Sequence, residues 1–92
     1  MPYGFDVFRR ETLDRIARLE EDEEEKFEEV AKQYWKGDAV ENFTSRAMLI
    51  NFQLMQRSYP IWVPFSQMRK DDTDTVYFAK WLLKVGDLKM FA

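Results

Sequence analysis

Apolar residues in the first third of the chain recur at helical spacing. Over residues 11–36 they form two clusters, Leu13, Ile16, Ala17 and Leu19, then Phe27, Val30, Ala31, Tyr34 and Trp35. Steps of three and four place such side chains on one helical face. The stretch is rich in good helix formers and has no internal Gly or Pro, so a long first helix is expected from about Phe5 or Glu11 to Lys36. Asp6 or Thr12 is placed to cap its start and Gly37 to end it. Between the clusters the stripe turns acidic at Glu20, Glu23 and Glu24. A helix cannot lie on an apolar core where its buried stripe is charged, so this middle portion is expected to project past the core or to meet a basic partner. Acid-first pairs four residues apart, such as Glu11 with Arg15 and Asp22 with Lys26, would support an exposed helix.

A second helix is expected over residues 38–58. Asp38 and Glu41 have the spacing of an acidic capping box, and Pro60 stops the element. Its apolar residues trace two faces, Val40, Phe43, Ala47, Ile50 and Leu54 on one, and Met48, Phe52, Met55 and Tyr59 on the other. That is too apolar for a simple surface helix. The second face is therefore expected to carry self-association, as a homodimer. Residues 59–65 are apolar and bounded by Pro60 and Pro64, which predicts an extended link. A third helix is expected over residues 74–85, burying Val76, Phe78, Ala79, Leu82, Leu83 and Val85 and ending at Gly86. Alternatively, residues 61–65 would pair with 75–78 as a short hairpin, since both stretches are β-branched and aromatic. The expected fold is all-α, one small helical domain over residues 1–92: a long first helix with an exposed acidic middle, a central apolar second helix, and a Pro-bounded extended link to a short third helix.

Composition narrows the chemistry. The chain has no His and no Cys, which removes imidazole bases, thiolate nucleophiles, disulfides and the usual zinc sites. Ser45, Ser58 and Ser66 have no such base to activate them, and Gly4, Gly37 and Gly86 are too scattered to form a phosphate loop. No enzyme, cofactor or metal site is expected. The start of the sequence lacks a basic stretch followed by an apolar segment, and a cytoplasmic protein outside the membrane is expected.

Charge is uneven. Residues 20–29 hold eight acids and one base, so this stretch carries −7 and the remainder +4. Glu20, Glu21, Asp22, Glu23, Glu24, Glu25 and Glu28 are the candidate surface for a basic protein partner. On a helix this run would carry roughly one charge per 1.9 Å, close to the roughly 1.7 Å of duplex DNA, so imitation of nucleic acid enters as a special case. Trp62 and Phe65, in the proline segment, are the candidate aromatic anchors. The function expected is a non-enzymatic interaction module, such as a small inhibitor or accessory subunit of the kind a compact virus encodes. The alternative is a nucleic-acid-binding accessory protein using Arg9, Arg10, Arg15, Arg18, Arg69 and Lys70 with nearby aromatics. The overall acidity, with a net charge of −3, makes nucleic acid the less favoured partner.

Overall fold

The computed structural model describes residues 8–34 and 42–91. Its architecture corrects the all-α expectation: the described residues are mostly β, with two three-stranded antiparallel sheets and two short α-helices among them. Helix α1 spans Arg10–Leu13. It is followed by strands β1 (Phe27–Glu28), β2 (Asn42–Phe43), β3 (Ala47–Leu54), β4 (Arg57–Pro64), β5 (Met68–Lys70) and β6 (Val76–Ala79), and then by helix α2 (Lys80–Val85). One sheet has the order β1-β6-β5 and the other β2-β3-β4.

The expected second helix is the β3–β4 hairpin. Along β3 the residues Met48, Ile50 and Phe52 are buried while their neighbours are half-exposed, the period-two alternation of a strand. The two apolar faces traced along residues 40–59 therefore merge: Met48, Ile50, Phe52 and Leu54 share one side of this strand, with Ala47 on the other. Eight residue pairs join β3 to β4, from Ala47 opposite Pro64 to Leu54 opposite Arg57. The hairpin closes through Met55 and Gln56, whose φ angles of 52° and 65° are both left-handed. This is the geometry of a type I′ turn, which normally selects Asn-Gly; Met-Gln carries no such signal, so the reversal is hidden in the sequence.

The other expected helices also change. Among the described residues of the long first helix only α1 is α-helical. The acids that were expected to line its middle lie instead on a 3-10 turn, Glu21–Glu23, a further turn and β1. The third helix begins only at Lys80, because residues 76–79 form β6 between β1 and β5. It does end at Gly86, whose amide bonds to the Leu82 carbonyl. The suggested pairing of residues 61–65 with 75–78 does not occur: those stretches lie in β4 and β6, on different sheets. Asp6, Gly37, Asp38, Val40 and Glu41, on which the expected caps and part of the second helix rest, lie outside the described residues, as does Trp35.

The residues expected to be buried are better preserved than the elements. Leu13, Ile16, Phe27, Val30, Val76, Phe78, Ala79, Leu82 and Leu83 all join the core, whereas Ala17, Ala31 and Val85 are exposed. Phe91, on the 3-10 turn Lys89–Phe91, meets Phe52 at 4.9 Å, Tyr34 at 5.5 Å and Tyr59 at 6.0 Å between ring centroids. Phe52 also packs edge-on against Phe78 at 5.9 Å, so one aromatic cluster ties together both sheets and the C-terminal segment. On the far side, Leu19 and Lys70 extend the first sheet: the Leu19 amide donates to the Lys70 carbonyl at 2.8 Å and the Lys70 amide to the Ala17 carbonyl at 2.9 Å. This covers the free edge of β5.

Two stability predictions follow from the hairpin and the cluster. Gln56→Gly removes a Cβ from a left-handed residue and should stabilise the fold by up to about 1 kcal/mol in urea unfolding; a loss of stability would mean that the turn is not of this type. Phe91→Ala should cost about 3–5 kcal/mol by the same measurement, and a cost below about 1 kcal/mol would show that Phe91 is not central.

Candidate functional site

The edge of β4 combines exposed apolar surface with unpaired backbone. The Phe65 amide donates to the Arg46 carbonyl at 2.8 Å, which fixes the parity of the ladder. Tyr59, Ile61 and Val63 turn their backbone groups towards β3, while Ser58, Pro60, Trp62 and Pro64 turn theirs away. Pro60 and Pro64 can occupy the strand only at such positions, because a proline has no amide to give the ladder. Among the described residues no strand adds beyond β4. The Pro64 carbonyl opens the 3-10 turn Phe65–Gln67, so the edge offers three carbonyl acceptors, those of Ser58, Pro60 and Trp62, against two amide donors, those of Ser58 and Trp62. An edge so depleted in donors resists pairing with another strand.

A groove of about 410 Å³ runs along this edge, lined by Tyr59, Pro60, Ile61, Trp62, Asp87 and Met90. One wall is the strand itself, where Trp62 lies opposite Leu49 and is 49% exposed. The other is the segment after α2. There Leu88 and Phe91 are buried in the core while Asp87 and Met90, the latter 50% exposed, face outwards. The buried pair anchors the wall, so the groove is preformed.

A second cleft, of about 420 Å³, lies on the outer face of the other sheet and is lined by residues including Glu23, Lys26, Phe27, Arg69, Lys80 and Trp81. Arg69 pairs with Glu23 in a fork: its Nε donates to Oε1 and its Nη2 to Oε2, both at 3.0 Å. The guanidinium also lies 4.7 Å from the centroid of the Phe27 ring, covering an apolar side chain that would otherwise face solvent. Trp81 is 53% exposed, and its indole N–H donates to Gln67 Oε1 at 2.8 Å. Lys26 and Lys80 enter no ion pair among the described residues.

The perturbed titratable groups serve structure. The hydrogen bond from Arg69 holds the Glu23 carboxyl below its ordinary range, outweighing the opposing effect of burial. Burial pushes the Asp71 carboxyl upwards, but is outweighed by bonds from the Thr73 hydroxyl, the Thr75 and Thr73 amides and the Tyr77 hydroxyl. These close the turn between β5 and β6, in which Asp74 takes a left-handed φ of 62°. Tyr77 is raised because it donates to Asp71.

The residues singled out from sequence are scattered. Trp62 lies in the groove, whereas Phe65 is half-buried against the core. Glu20, Glu21, Asp22, Glu24, Glu25 and Glu28 are exposed, and Glu23 is taken by Arg69. Of the four self-association candidates, Met48 and Phe52 are fully buried, Tyr59 is half-buried beneath the groove, and Met55 alone is freely presented at the hairpin tip, 87% exposed. Most of the basic residues considered for nucleic acid are engaged internally: Arg10 with Asp74 at 2.8 Å, Arg18 with Asp72 at 3.0 Å, Arg69 with Glu23, Arg15 over the Phe43 ring, and Lys70 with the Leu13 carbonyl. Asp87, Met90 and Trp81 were missed as site residues. Their signal was present only in the short stretch in which Trp81, Val85 and Met90 alternate with buried leucines.

Because Glu23 and Asp71 titrate below their ordinary values when folded, the unfolded chain binds more protons in the acid range. Their stabilisation is complete above the ordinary carboxyl range and is lost as pH falls through the folded values. Urea unfolding from neutral pH downwards should show this decline, and Glu23→Gln and Asp71→Asn should each flatten it; an unchanged slope in either variant would detach that carboxyl from folding. Comparison of the chain with protein-family models, with curated proteins and with solved structures returns no match.

Proposed function

We propose that this protein is a non-enzymatic binding module that docks a larger protein with a basic surface through the groove along β4, with Trp62 as its anchor. The observation that carries this reading is the half-exposed Trp62 in a preformed groove whose strand edge is closed to β-pairing by Pro60 and Pro64. Exposed tryptophans in such settings dominate interface energetics. The exposed acids Glu20, Glu21, Asp22, Glu24, Glu25, Glu28 and Glu29 lie on an arc of turns and β1 rather than on a helix, and an arc of this charge steers a basic partner during encounter. Each perturbed carboxyl has a structural partner that accounts for its shift, which supports binding over catalysis.

A second reading, nucleic-acid binding, is favoured by one observation: half-exposed Trp81 shares its cleft with the amines of Lys26 and Lys80. Stacking of a base on an aromatic ring beside cations is a common single-strand device. Retention of a labelled single-stranded oligonucleotide that is lost in Trp81→Ala would move the assignment to this cleft.

Affinity capture with wild-type protein and with Trp62→Ala tests the main reading. Chains recovered by the wild type should bind the variant at least about 2 kcal/mol more weakly, while the urea midpoint moves little. A loss of folding with no separate binding defect would return Trp62 to a structural role. Changing Glu20, Glu21, Asp22, Glu24 and Glu25 to their amides, with Glu23 kept for Arg69, should slow association with the same partner and reduce its dependence on salt. An unchanged association rate would make the arc a solvated surface only.

A further inference from the structure

The groove along β4 presents an unusual set of groups. Its strand edge carries backbone carbonyls at Pro60 and Trp62 that no described residue bonds, with a single amide, that of Trp62, between Ser58 and the end of the strand. Its side chains supply two aromatic rings, Tyr59 and Trp62, and its facing wall supplies the Asp87 carboxylate. Acceptors outnumber donors, the one formal charge is negative, and the rest of the lining is apolar. An extended peptide that adds by backbone pairing would find too few donors here, and a carboxylate or phosphate would find no cation. The complementary group is a flat cation rich in N–H donors.

We propose that the groove receives the guanidinium of an arginine side chain from the docking partner. This rests on the protein-binding reading above and specifies its contact chemistry. Guanidinium donors are arranged in a planar fork that can serve the Asp87 carboxylate and the outward carbonyls together, and the plane stacks on aromatic rings. A lysine ammonium is compact and strongly hydrated, and gains less from the two rings. The apolar stem of the arginine would lie along Ile61 and Met90. Asp87 is an exposed residue between buried Leu88 and the end of α2, so its position is fixed while its carboxylate stays available.

The test is a titration of N-acetylarginine amide into the full-length, isotopically labelled protein, followed by amide and indole chemical shifts. Saturable shifts should appear at Tyr59, Ile61, Trp62, Asp87 and Met90. Nα-Acetylcitrulline amide, which keeps the shape and loses the charge, should bind about tenfold more weakly, as should Nα-acetyllysine amide; Asp87→Asn should lower arginine affinity by a similar factor with the spectrum otherwise preserved, the size expected for one charge-assisted contact. Equal responses to arginine and citrulline, an unchanged affinity in Asp87→Asn, or shifts confined to the Trp81 cleft would overturn the proposal, and equal binding of lysine would overturn the choice of guanidinium. A silent titration together with partner binding that still depends on Trp62 would overturn the arginine assignment alone. Loss of both would overturn the docking reading as well.

Discussion

Side chains alternate along a strand, so a one-residue slip between β3 and β4 would exchange every inward residue for an outward one. The observed register places Met48, Ile50, Phe52 and Val63 in the core. It also puts Pro60 and Pro64 where no ladder amide is needed and turns Trp62 outwards. The prolines therefore reinforce the register that burial selects, since a shift by one residue would demand amides that they lack. The turn at Met55 and Gln56 accepts two left-handed residues to close this ladder, a local cost borne by long-range packing.

The groove depends on the same register from one side and on Phe91 from the other. Phe91 contacts Phe52, Tyr59 and Tyr34, fastening the segment after α2 beside β4. A binding surface placed between an ordered strand and an anchored turn loses little conformational entropy on docking. The exposed aromatic and the carboxylate thus come from distant parts of the sequence but are held by adjacent parts of one core.

Charge is organised differently from its distribution along the chain. Arginines of the N-terminal segment reach acids of the β5–β6 turn, and Arg69 reaches back to Glu23. These pairs engage the arginine side chains within the fold, and only that of Arg69 with Glu23 draws on the acidic stretch. The remaining acids of residues 20–29 face solvent on turns and β1, where their mutual repulsion is relieved by water and salt more readily than on a continuous helix.

Composition alone determined which chemistries the chain lacks: without His or Cys, imidazole and thiolate mechanisms are absent whatever the fold. Hydrophobic pattern determined much of the core, because burial follows from side-chain character; Leu13, Ile16, Phe27, Val30, Val76, Phe78, Leu82 and Leu83 are buried even though most of their elements were misread. Secondary structure was not legible. Residues 11–36 have helix-forming composition, yet acids and turns interrupt the stretch, and residues 47–54 support either a helix with two apolar faces or a strand. Local propensity leaves that choice open, and only pairing with β4, over eight residue pairs, resolves it, since a hairpin buries the apolar residues of both segments together. Tertiary structure likewise decided the site. Trp62 was identifiable as a candidate anchor, but the pairing of Arg69 with Glu23 and the convergence of Asp87 and Met90 on β4 arise from contacts between residues far apart in sequence, to which no local pattern responds.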